Sequence, residues 1–389
     1  MKKNILYLIN TPDIKGGGEI SLLNLLNKLD KNLYNPVAVC PGEGLMSSEI
    51  KKIGINAEII PMRQLRYLNI GSFIRGVWSI IGVINNYKID LIHANGSRCM
   101  IYGGIAGRLK GIPVIWHVRI VEKDSVLDRF LSILSDRIIV ISNSVKNRFN
   151  YLKNKDKINI VYNGVDVDDF DPDKISGESV RSEFSITADE IIIGTISQFI
   201  QMKGLEFFIE AAKFVLEYIK SLPFQRGGLG WGNIRFLIVG KRVGDDAYER
   251  KLKGLVKDLG IENKVIFTGY RNDIKNVIAS MDIFVLASMG EGFGRVLIEA
   301  MALKKPVVAA KSGGIPEIVS DGETGILVPE RDSLEIASAV IRLIKERDLR
   351  ERMGLAGRKR VEEMFTIERH AREIESQYSK ILEKKLEHE

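Results

Sequence analysis

Residues 283–302 read IFVLASMGEGFGRVLIEAMA, and this stretch predicts a buried strand, a glycine-rich turn and a helix. The apolar run ends at Ala287, three glycines follow, and the helical pattern begins near Phe293. The first backbone N–H groups of a helix have no partner inside the helix and carry partial positive charge. With so little side-chain bulk around them, these groups favour an anion such as a phosphate at this turn.

Two carboxylates accompany the turn. Glu291 precedes the helix, and Glu299 lies about six residues inside it, roughly 9 Å along the helix axis. So placed, the pair would hold hydroxyl groups at the two ends of one ligand with a diphosphate between them, which is the shape of a nucleotide-sugar. In the alternative interpretation, Glu291 satisfies the helix dipole and Glu299 is an exposed surface charge. The flanking glycines favour ligand binding for the pair.

Short apolar runs alternate with amphipathic segments along the whole chain, which predicts parallel β-sheets covered by helices. One series of apolar runs lies within residues 4–161 and a second within residues 191–309. A chain of 389 residues is long for a single core. We therefore predict an α/β protein with two successive Rossmann-like domains, residues 1–165 and 166–366, and a cleft between them.

Composition places the chain among ordinary soluble proteins, with 45% hydrophobic and 28% charged residues. Cys40 and Cys99 are the only cysteines, so we expect a reducing, cytoplasmic setting without a disulfide framework. Residues 1–160 carry 23 Lys and Arg against 12 Asp and Glu, whereas residues 161–389 carry 34 against 38. The first half is therefore strongly basic, which indicates either steering towards an anionic surface or a solvated face with no role.

Between Val265 and Pro329 the chain carries five short motifs: Gly269-Tyr270, Glu291-Gly292-Phe293-Gly294, Glu299-Ala300-Met301-Ala302, Gly313-Gly314-Ile315-Pro316-Glu317 and Asp321-Gly322-Glu323-Thr324-Gly325. Together they resemble the donor domain of the group-1 family of retaining glycosyltransferases with the GT-B fold. Weaker matches extend over nearly the whole chain. The resemblance implies two Rossmann-like domains facing a central cleft, with the C-terminal helix, residues 367–389, packing back towards the N-terminal domain.

The resemblance also assigns roles at the donor site. Glu299 would bind the ribose hydroxyls, and Glu291 would hold the donor sugar together with the amides of Gly292, Phe293 and Gly294. Lys203 would neutralise the diphosphate. A lysine at a helix start is unfavourable because its charge opposes the helix dipole, and this counts against a purely structural role.

The family usually has an arginine a few residues before this lysine. Gln198 appears at the corresponding position here and brings no charge. We expect Arg242, Arg271 or Arg295 to substitute for the missing cation.

Gly16, Gly17 and Gly18 follow the first predicted strand and open a helix, which permits close approach of a ligand. The G-x-G-x-x-G pattern is absent, and the second strand ends in Cys40 where a nicotinamide site would have an acidic residue. The resemblance places this loop opposite the donor diphosphate. Of the strand-end histidines His93 and His117, the second matches a family histidine near the transferred sugar, so we predict His117, Lys203 and Glu291 as the catalytic set.

No His, Cys, Asp and Glu set has metal-ligand spacing, and no Asp-x-Asp stands at a strand end. We therefore expect no metal and no bound cofactor, with a UDP- or GDP-sugar as substrate. For retention, the family-level expectation is attack from the face that the diphosphate leaves, with the departing phosphate taking the acceptor proton. One glutamate pair devoted to donor binding, and no second pair in the first half, motivates this mechanism.

The acceptor, a glycan or a lipid-linked saccharide, should bind within residues 1–165. Residues 70–84 are apolar and aromatic, with Arg63, Arg66, Arg75 and Lys88 around them. This pattern is typical of a helix lying on an anionic membrane, and it equally fits a core-facing helix with basic flanks. No apolar stretch is long enough to span a bilayer, so we expect peripheral contact at most.

Two other functions fit a two-domain α/β protein of this kind. A nucleotide-sugar epimerase needs no acceptor, and a non-catalytic subunit would keep the fold beside an active partner. Gln198 favours the non-catalytic alternative, and the intact glutamate pair counts against it. Nucleic-acid binding is disfavoured, because the basic residues are not interleaved with aromatic residues on a recognisable module.

Overall fold

The computed structural model describes residues 2–14, 16–63, 69–221, 234–240, 244 and 246–386. Four glycines and a proline within residues 221–232 predict a surface insertion, and this segment lies outside the described residues from position 222 onward, as do Arg66 and Arg242. The chain divides into two compact units. The first comprises the residues up to Gly164 and those from Ile367 onward, and the second comprises Val165–Thr366.

In the described part of the first unit, seven parallel strands form one sheet: β1 (Lys3–Leu8), β2 (Tyr34–Cys40), β3 (Asn56–Ile59), β4 (Leu91–Asn95), β5 (Val114–Val118), β6 (Arg137–Val140) and β7 (Ile158–Ile160). The helices before the domain boundary are α1 (Gly17–Lys28), α2 (Leu45–Lys52), α3 (Ile70–Asn86), α4 (Ser97–Lys110), α5 (Ser125–Leu134) and α6 (Asn143–Lys146). The strand order is β3-β2-β1-β4-β5-β6-β7.

The second unit repeats this plan, with six parallel strands among its described residues: β8 (Ile191–Ile196), β9 (Ile234–Val239), β10 (Val265–Gly269), β11 (Ile283–Leu286), β12 (Val307–Ala310) and β13 (Gly325–Val328). Its helices are α7 (Glu178–Glu183), α8 (Leu205–Ser221), α9 (Ala247–Asp258), α10 (Ile274–Ser280), α11 (Arg295–Ala302), α12 (Ile315–Ile318), α13 (Ser333–Lys345) and α14 (Arg347–Met364). The strand order is β10-β9-β8-β11-β12-β13.

The central strands are buried on both faces, which is why they read as continuous apolar runs in the sequence. All four residues of β11 and all four of β12 are buried. Helices cover each sheet with the apolar stripe of an amphipathic pattern, as in α8, where Phe208, Ile209 and Val215 face the core. The predicted fold class of two Rossmann-like α/β domains is confirmed.

The last helix, α15 (Ile367–Leu386), returns to the first unit, as the fold prediction stated. Ile374 and Tyr378 are fully buried against the first sheet and α1. At the helix surface, Lys28 of α1 pairs with Glu368 at 2.8 Å. Helix α15 is therefore part of the hydrophobic core that the first sheet and α1 form.

Each sheet has one point where the strand order reverses. In the first sheet β1 lies between β2 and β4, and in the second β8 lies between β9 and β11. Loops leaving two neighbouring strands at such a point run to opposite faces of the sheet and leave a crevice at the carboxyl ends of the strands. Most predicted site residues of the second unit follow β8 and β11, so they lie at this point of its sheet, whereas Arg271 follows the edge strand β10.

Candidate functional site

The loop after β11 has the backbone that its glycines predict. Gly290 and Gly294 have φ angles of +63° and +94°, values that a residue with a Cβ rarely adopts. Gly294 caps helix α11, which begins at Arg295 and not near Phe293 as expected. Glu299 is consequently the fifth residue of the helix, on its second turn.

Three loops at this edge of the second sheet are tied together by hydrogen bonds. The Gly314 N–H donates to the Glu291 carbonyl at 2.8 Å, which joins the loops after β12 and β11. The Met289 N–H donates to the Met202 carbonyl at 2.7 Å, which adds the loop after β8. The loop that contains Glu291 is therefore hydrogen-bonded through its main chain to both neighbouring loops.

Gly313 shows why the second glycine motif is needed. Its φ angle is +52°, and a Cβ at this position would lie 1.9 Å from the Glu291 carbonyl oxygen. Gly204, directly after Lys203, is similar, since its φ is +60° and a Cβ would lie 2.3 Å from the Ala287 carbonyl oxygen. Both glycines let one loop approach the backbone of another, and both position a predicted site residue.

Lys203 and Glu291 form an ion pair in this edge region. Lys203 Nζ lies 2.6 Å from Glu291 Oε2, and the two side chains are only 21% and 18% exposed. The structure thus brings together two residues that are 88 positions apart and that the sequence predicted for the same site. Partial burial strengthens the attraction relative to a surface pair.

Glu299 is buried, with 4% of its surface exposed, which excludes the alternative of a surface charge. Its Oε1 lies 2.6 Å from Nη1 of Arg295, one turn earlier on α11. Burial raises the pKa of Glu299, while the charges of Arg295 and Lys275 act in the opposite direction. The Nε atom of Arg295 is shielded from solvent and has no hydrogen-bond partner among the described residues.

The remaining predicted donor-site residues differ in how far their side chains are already engaged by other protein groups. Gln198 lies in the loop between β8 and Lys203. The ring of Phe293 is buried edge-on against Phe365, with ring centroids 5.7 Å apart, so the ring belongs to the core. The Arg271 guanidinium is engaged by Glu183 at 2.6 Å and by Asp273 at 2.7 Å.

In the first unit, Gly16–Gly18 lie at the start of α1, as predicted. Glu19 reaches back to accept a hydrogen bond from the Gly16 N–H at 2.9 Å. Gly18 lies against the stem of Arg119, since a Cβ on this glycine would be 3.4 Å from Arg119 Cδ. The glycine loop is therefore the neighbour of an arginine that follows β5.

His117 and His93 are both fully buried and contact one another. Nε2 of His93 lies 3.0 Å from Nδ1 of His117. Burial, followed by the charge of Arg119, holds the pKa of each well below the usual value. Burial also lowers the pKa of His370 of α15 to about 4, and its Nδ1 lies 2.6 Å from the Tyr162 carbonyl. These imidazoles are therefore neutral at pH 7.

At these strand ends, three residues that the sequence did not single out carry shielded polar atoms without partners among the described residues. They are the Nε and Nη2 atoms of Arg119 and the hydroxyls of Ser197 and Ser288. Arg119 Nη1 donates to Asn95 Oδ1 at 2.8 Å. Each of the three stands just after a central strand, at the sheet edge where the loops lie, and this position is the signal that would have identified them.

Among the described residues, no group of three or more His, Cys, Asp or Glu side chains is arranged to hold a metal ion. No described helix combines the length and the apolar character needed to cross a bilayer. Cys40 and Cys99 are both buried and free.

Family models match both halves of the chain. The model described as "Glycosyl transferases group 1" matches residues 178–360, and the model described as "Glycosyltransferase Family 4" matches residues 15–169.

Two curated relatives illustrate the similarity. An N-acetyl-α-D-glucosaminyl L-malate synthase of Bacillus anthracis is 32% identical over 251 residues, which are 64% of this chain and 60% of that protein. The chain thus matches less than two thirds of the length of this relative. A UDP-Gal:α-D-GlcNAc-diphosphoundecaprenol α-1,3-galactosyltransferase of Escherichia coli is 24% identical over 286 residues, 70% of each chain.

Among solved structures, HepE of Anabaena in complex with UDP and glucose superimposes with a TM-score of 0.82. The similarity covers 97% of this chain and 100% of that one at 24% identity. At this level of identity the comparison establishes a shared fold.

Replacing Gly313 with alanine should disrupt the site, because the new methyl group would meet the Glu291 carbonyl and the backbone would be strained as well. We expect a loss of at least about 2 kcal/mol in the free energy of unfolding, larger than the ~1–2 kcal/mol of left-handed strain alone. Gly322→Ala is the matched control, since its φ is +76° and nothing lies within 4 Å of a Cβ there. Urea unfolding measures both variants, and equal losses would show that the contact with Glu291 is unimportant.

Proposed function

Because this chain belongs to the group-1 glycosyltransferases, we propose that it transfers a hexose-type sugar from a UDP- or GDP-sugar to a glycan or lipid-linked saccharide, with retention of configuration and without a metal ion. The observation that carries this proposal is the arrangement at the edge of the second sheet. The loops that follow β8 and β11 carry the ion pair of Lys203 and Glu291, and helix α11 carries the buried Glu299, at the point where the strand order reverses.

We assign the donor to the second unit. Glu299 would accept hydrogen bonds from the ribose hydroxyls, because a buried carboxylate with one oxygen on Arg295 keeps a second oxygen for a ligand. Glu291 and the amides of Gly292–Gly294 would hold the sugar. The names of two similar proteins include UDP or UDP-Gal, which supports a uridine nucleotide as the first choice.

Lys203 is the proposed cation for the departing diphosphate. Its ammonium is already held by Glu291, so it is positioned before the ligand arrives. Gln198 adds a hydrogen-bond donor. Among the described arginines, Arg295 is best placed to add charge, because its shielded Nε has no partner there. We leave Arg271 out of the donor set, because Glu183 and Asp273 already occupy its guanidinium.

Metal independence and retention follow from the same assignment. Lys203, Arg295 and the helix starts would stabilise the negative charge that a metal otherwise neutralises. The departing phosphate would take the acceptor proton while the acceptor attacks from the same face. The assignment of Glu291 and Glu299 to donor binding leaves them outside proton transfer, and the buried neutral His117 would contact the transferred sugar.

The acceptor is assigned to the first unit. Both curated relatives have an anionic acceptor in their names, L-malate in one and a diphosphate-linked saccharide in the other. Arg119 is a part-buried cation whose Nε and Nη2 atoms are shielded from solvent and have no hydrogen-bond partner among the described residues, and desolvation lowers its pKa to about 10. An anionic group of the acceptor would satisfy these N–H groups.

Peripheral attachment to an anionic membrane at the cytoplasmic face would bring the enzyme to a lipid-linked acceptor. Ile70, Ile74 and Trp78 occupy one stripe of α3 and are 74%, 49% and 65% exposed. The opposite face of α3 is buried in the core, so this stripe is a second apolar face of the helix. Arg63 and Arg75 lie nearby in the sequence, and both are exposed. The apolar stripe with basic neighbours supports contact with an anionic lipid surface.

A panel of nucleotides and nucleotide-sugars, tested without metal, should identify the donor by thermal stabilisation. At about a hundred times Kd, binding adds roughly 2.7 kcal/mol to the free energy of unfolding. We expect one base to stabilise the chain and the effect to fall in Glu299→Gln but not in the exposed control Glu335→Gln. Product analysis with the same donor separates transfer, which releases nucleotide, from epimerisation. No stabilisation by any donor would favour a non-catalytic subunit.

Arg119→Met should weaken use of an acceptor that carries a phosphate or carboxylate. Losing hydrogen bonds to a charged group costs about 1.5–3 kcal/mol, which corresponds to a roughly 10- to 150-fold rise in KM for that acceptor. Lys110→Met, which removes an exposed charge from the same unit, is the control. The measurement compares a diphosphate-linked saccharide with its neutral glycan, and an equal effect on both acceptors would contradict the assignment.

Cosedimentation with vesicles tests the membrane contact. Binding to anionic vesicles should exceed binding to zwitterionic ones and weaken as salt rises, because salt screens the attraction. Trp78→Gln should reduce binding, whereas Leu355→Gln, which alters an exposed apolar residue of the second unit, should not. Binding that is absent, or that does not respond to salt, would end this part of the proposal.

A further inference from the structure

Four fully buried side chains of the first unit form a hydrogen-bonded row that ends at His117. The Tyr7 hydroxyl of β1 lies 2.8 Å from the Tyr378 hydroxyl of α15. The Tyr378 hydroxyl lies 2.6 Å from Nδ1 of His93, and Nε2 of His93 lies 3.0 Å from Nδ1 of His117. Nε2 of His117 is buried and has no partner among the described residues. The row therefore leads from the C-terminal helix to one ring nitrogen of His117.

All four members of the row are neutral at pH 7. Burial, then the charge of Arg119, lowers the pKa of His93 and of His117. Burial likewise raises the pKa values of Tyr7 and Tyr378. A neutral imidazole has one N–H and one bare nitrogen, so each histidine both donates and accepts. The tautomer of His93 therefore sets the direction of both of its hydrogen bonds.

In the first direction every hydroxyl proton of the row has an acceptor. Tyr7 donates to Tyr378, Tyr378 donates to Nδ1 of His93, and the Nε2–H of His93 donates to Nδ1 of His117. The proton of His117 must then be on Nε2. Within the described part of the chain, this Nε2–H is then the one group of the row left without a partner, and it is the group that a ligand would meet.

In the opposite direction His117 donates from Nδ1, His93 donates to Tyr378, and Tyr378 donates to Tyr7. The Tyr7 hydroxyl proton then has no acceptor, because Tyr378 is its only hydrogen-bond partner among the described residues. If Tyr7 donated to Tyr378 instead, the hydroxyl proton of Tyr378 would be the one without an acceptor among these residues. Tyr7 is completely buried, so water does not replace the missing acceptor at its surface. Native proteins rarely leave buried polar groups unsatisfied, so the first direction is preferred.

We propose that Tyr378, acting through His93, holds His117 in the tautomer with its proton on Nε2, so that His117 donates a hydrogen bond to an oxygen of the bound substrate and does not act as a base. Tyr378 and His93 are positioning residues, and only His117 touches the ligand. The tautomer follows from the row alone, whereas the substrate contact rests on the proposed function. The C-terminal helix thereby controls the chemistry of a residue 261 positions earlier in the chain.

The tautomer is measurable without any substrate. Histidine-selective ¹⁵N labelling of the full chain, with long-range ¹H–¹⁵N correlation at pH 7, distinguishes a protonated ring nitrogen from a bare one. The spectrum of His117→Gln identifies the His117 signals among those of the four histidines. We expect a protonated Nε2 and a bare Nδ1 in the wild type. A protonated Nδ1 on His117 would overturn the proposal.

Two phenylalanine variants test the cause. Tyr378→Phe removes the donor to His93, so the row loses its direction and the His117 signals should move towards a mixture of tautomers. Tyr7→Phe is the matched comparison, because Tyr378 still donates to His93 and the Nε2–H form should persist. Unchanged signals in Tyr378→Phe, or equal changes in both variants, would refute the role of Tyr378. If Tyr378→Phe does not fold, the wild-type spectrum and Tyr7→Phe still decide the tautomer.

Sugar transfer supplies an independent readout. We expect kcat to fall several-fold or more in Tyr378→Phe. It should be unaffected in Tyr34→Phe, whose hydroxyl contacts Glu375 and Ser379 of the same helix outside the row. If neither the wild type nor any variant transfers sugar but the tautomers are as expected, the proposed function is wrong and the proposed direction of the hydrogen-bonded row still holds. Equal kcat losses in the two variants would show that Tyr378 acts only by supporting the helix.

Discussion

The reversal of strand order in each parallel sheet is the constraint on which the rest of the structure depends. Parallel strands deliver all their carboxyl ends to one edge, and the reversal opens that edge between two neighbouring loops. In the second unit these loops carry Lys203 and Glu291. In the first unit, β1 and β4 lead to the glycine loop and to His93, with His117 on the next strand. Residues far apart in the chain therefore meet because the strand order places their loops side by side at one edge of the sheet.

The two units present contrasting electrostatics at these edges. The second unit holds a part-buried ion pair, Lys203–Glu291, and a more deeply buried pair, Arg295–Glu299, so its charges are already matched. The first unit holds a row of neutral aromatic and imidazole groups beside Arg119, a cation with only partial hydrogen bonding. The free oxygen of a paired carboxylate suits hydroxyl recognition, whereas an unsatisfied cation suits a ligand that brings its own negative charge.

The sequence predicted the fold well, because buried parallel strands produce apolar runs that are hard to mistake. It missed β13, since Gly325–Val328 is only four residues long and follows a turn rich in polar residues. It also placed the start of α11 about two residues early. Gly294, with a φ of +94°, ends the turn and caps the helix. The apolar Phe293 resembles a first helical residue in the sequence, but its ring packs in the core against Phe365.

The sequence by itself determined the two α/β domains and the spacing that places Glu291 before α11 and Glu299 on it, because helical and strand periodicities are local properties of the chain. Tertiary structure alone decided that Arg271 is engaged by Glu183 and Asp273. It also decided that Gly313 supports Glu291, and that Tyr378 of the last helix reaches His93 of the fourth strand. Apart from the local Arg271–Asp273 pair, these contacts join residues separated by 22 to 285 positions, and no local pattern encodes which partner a buried polar group finds once the sheets are assembled.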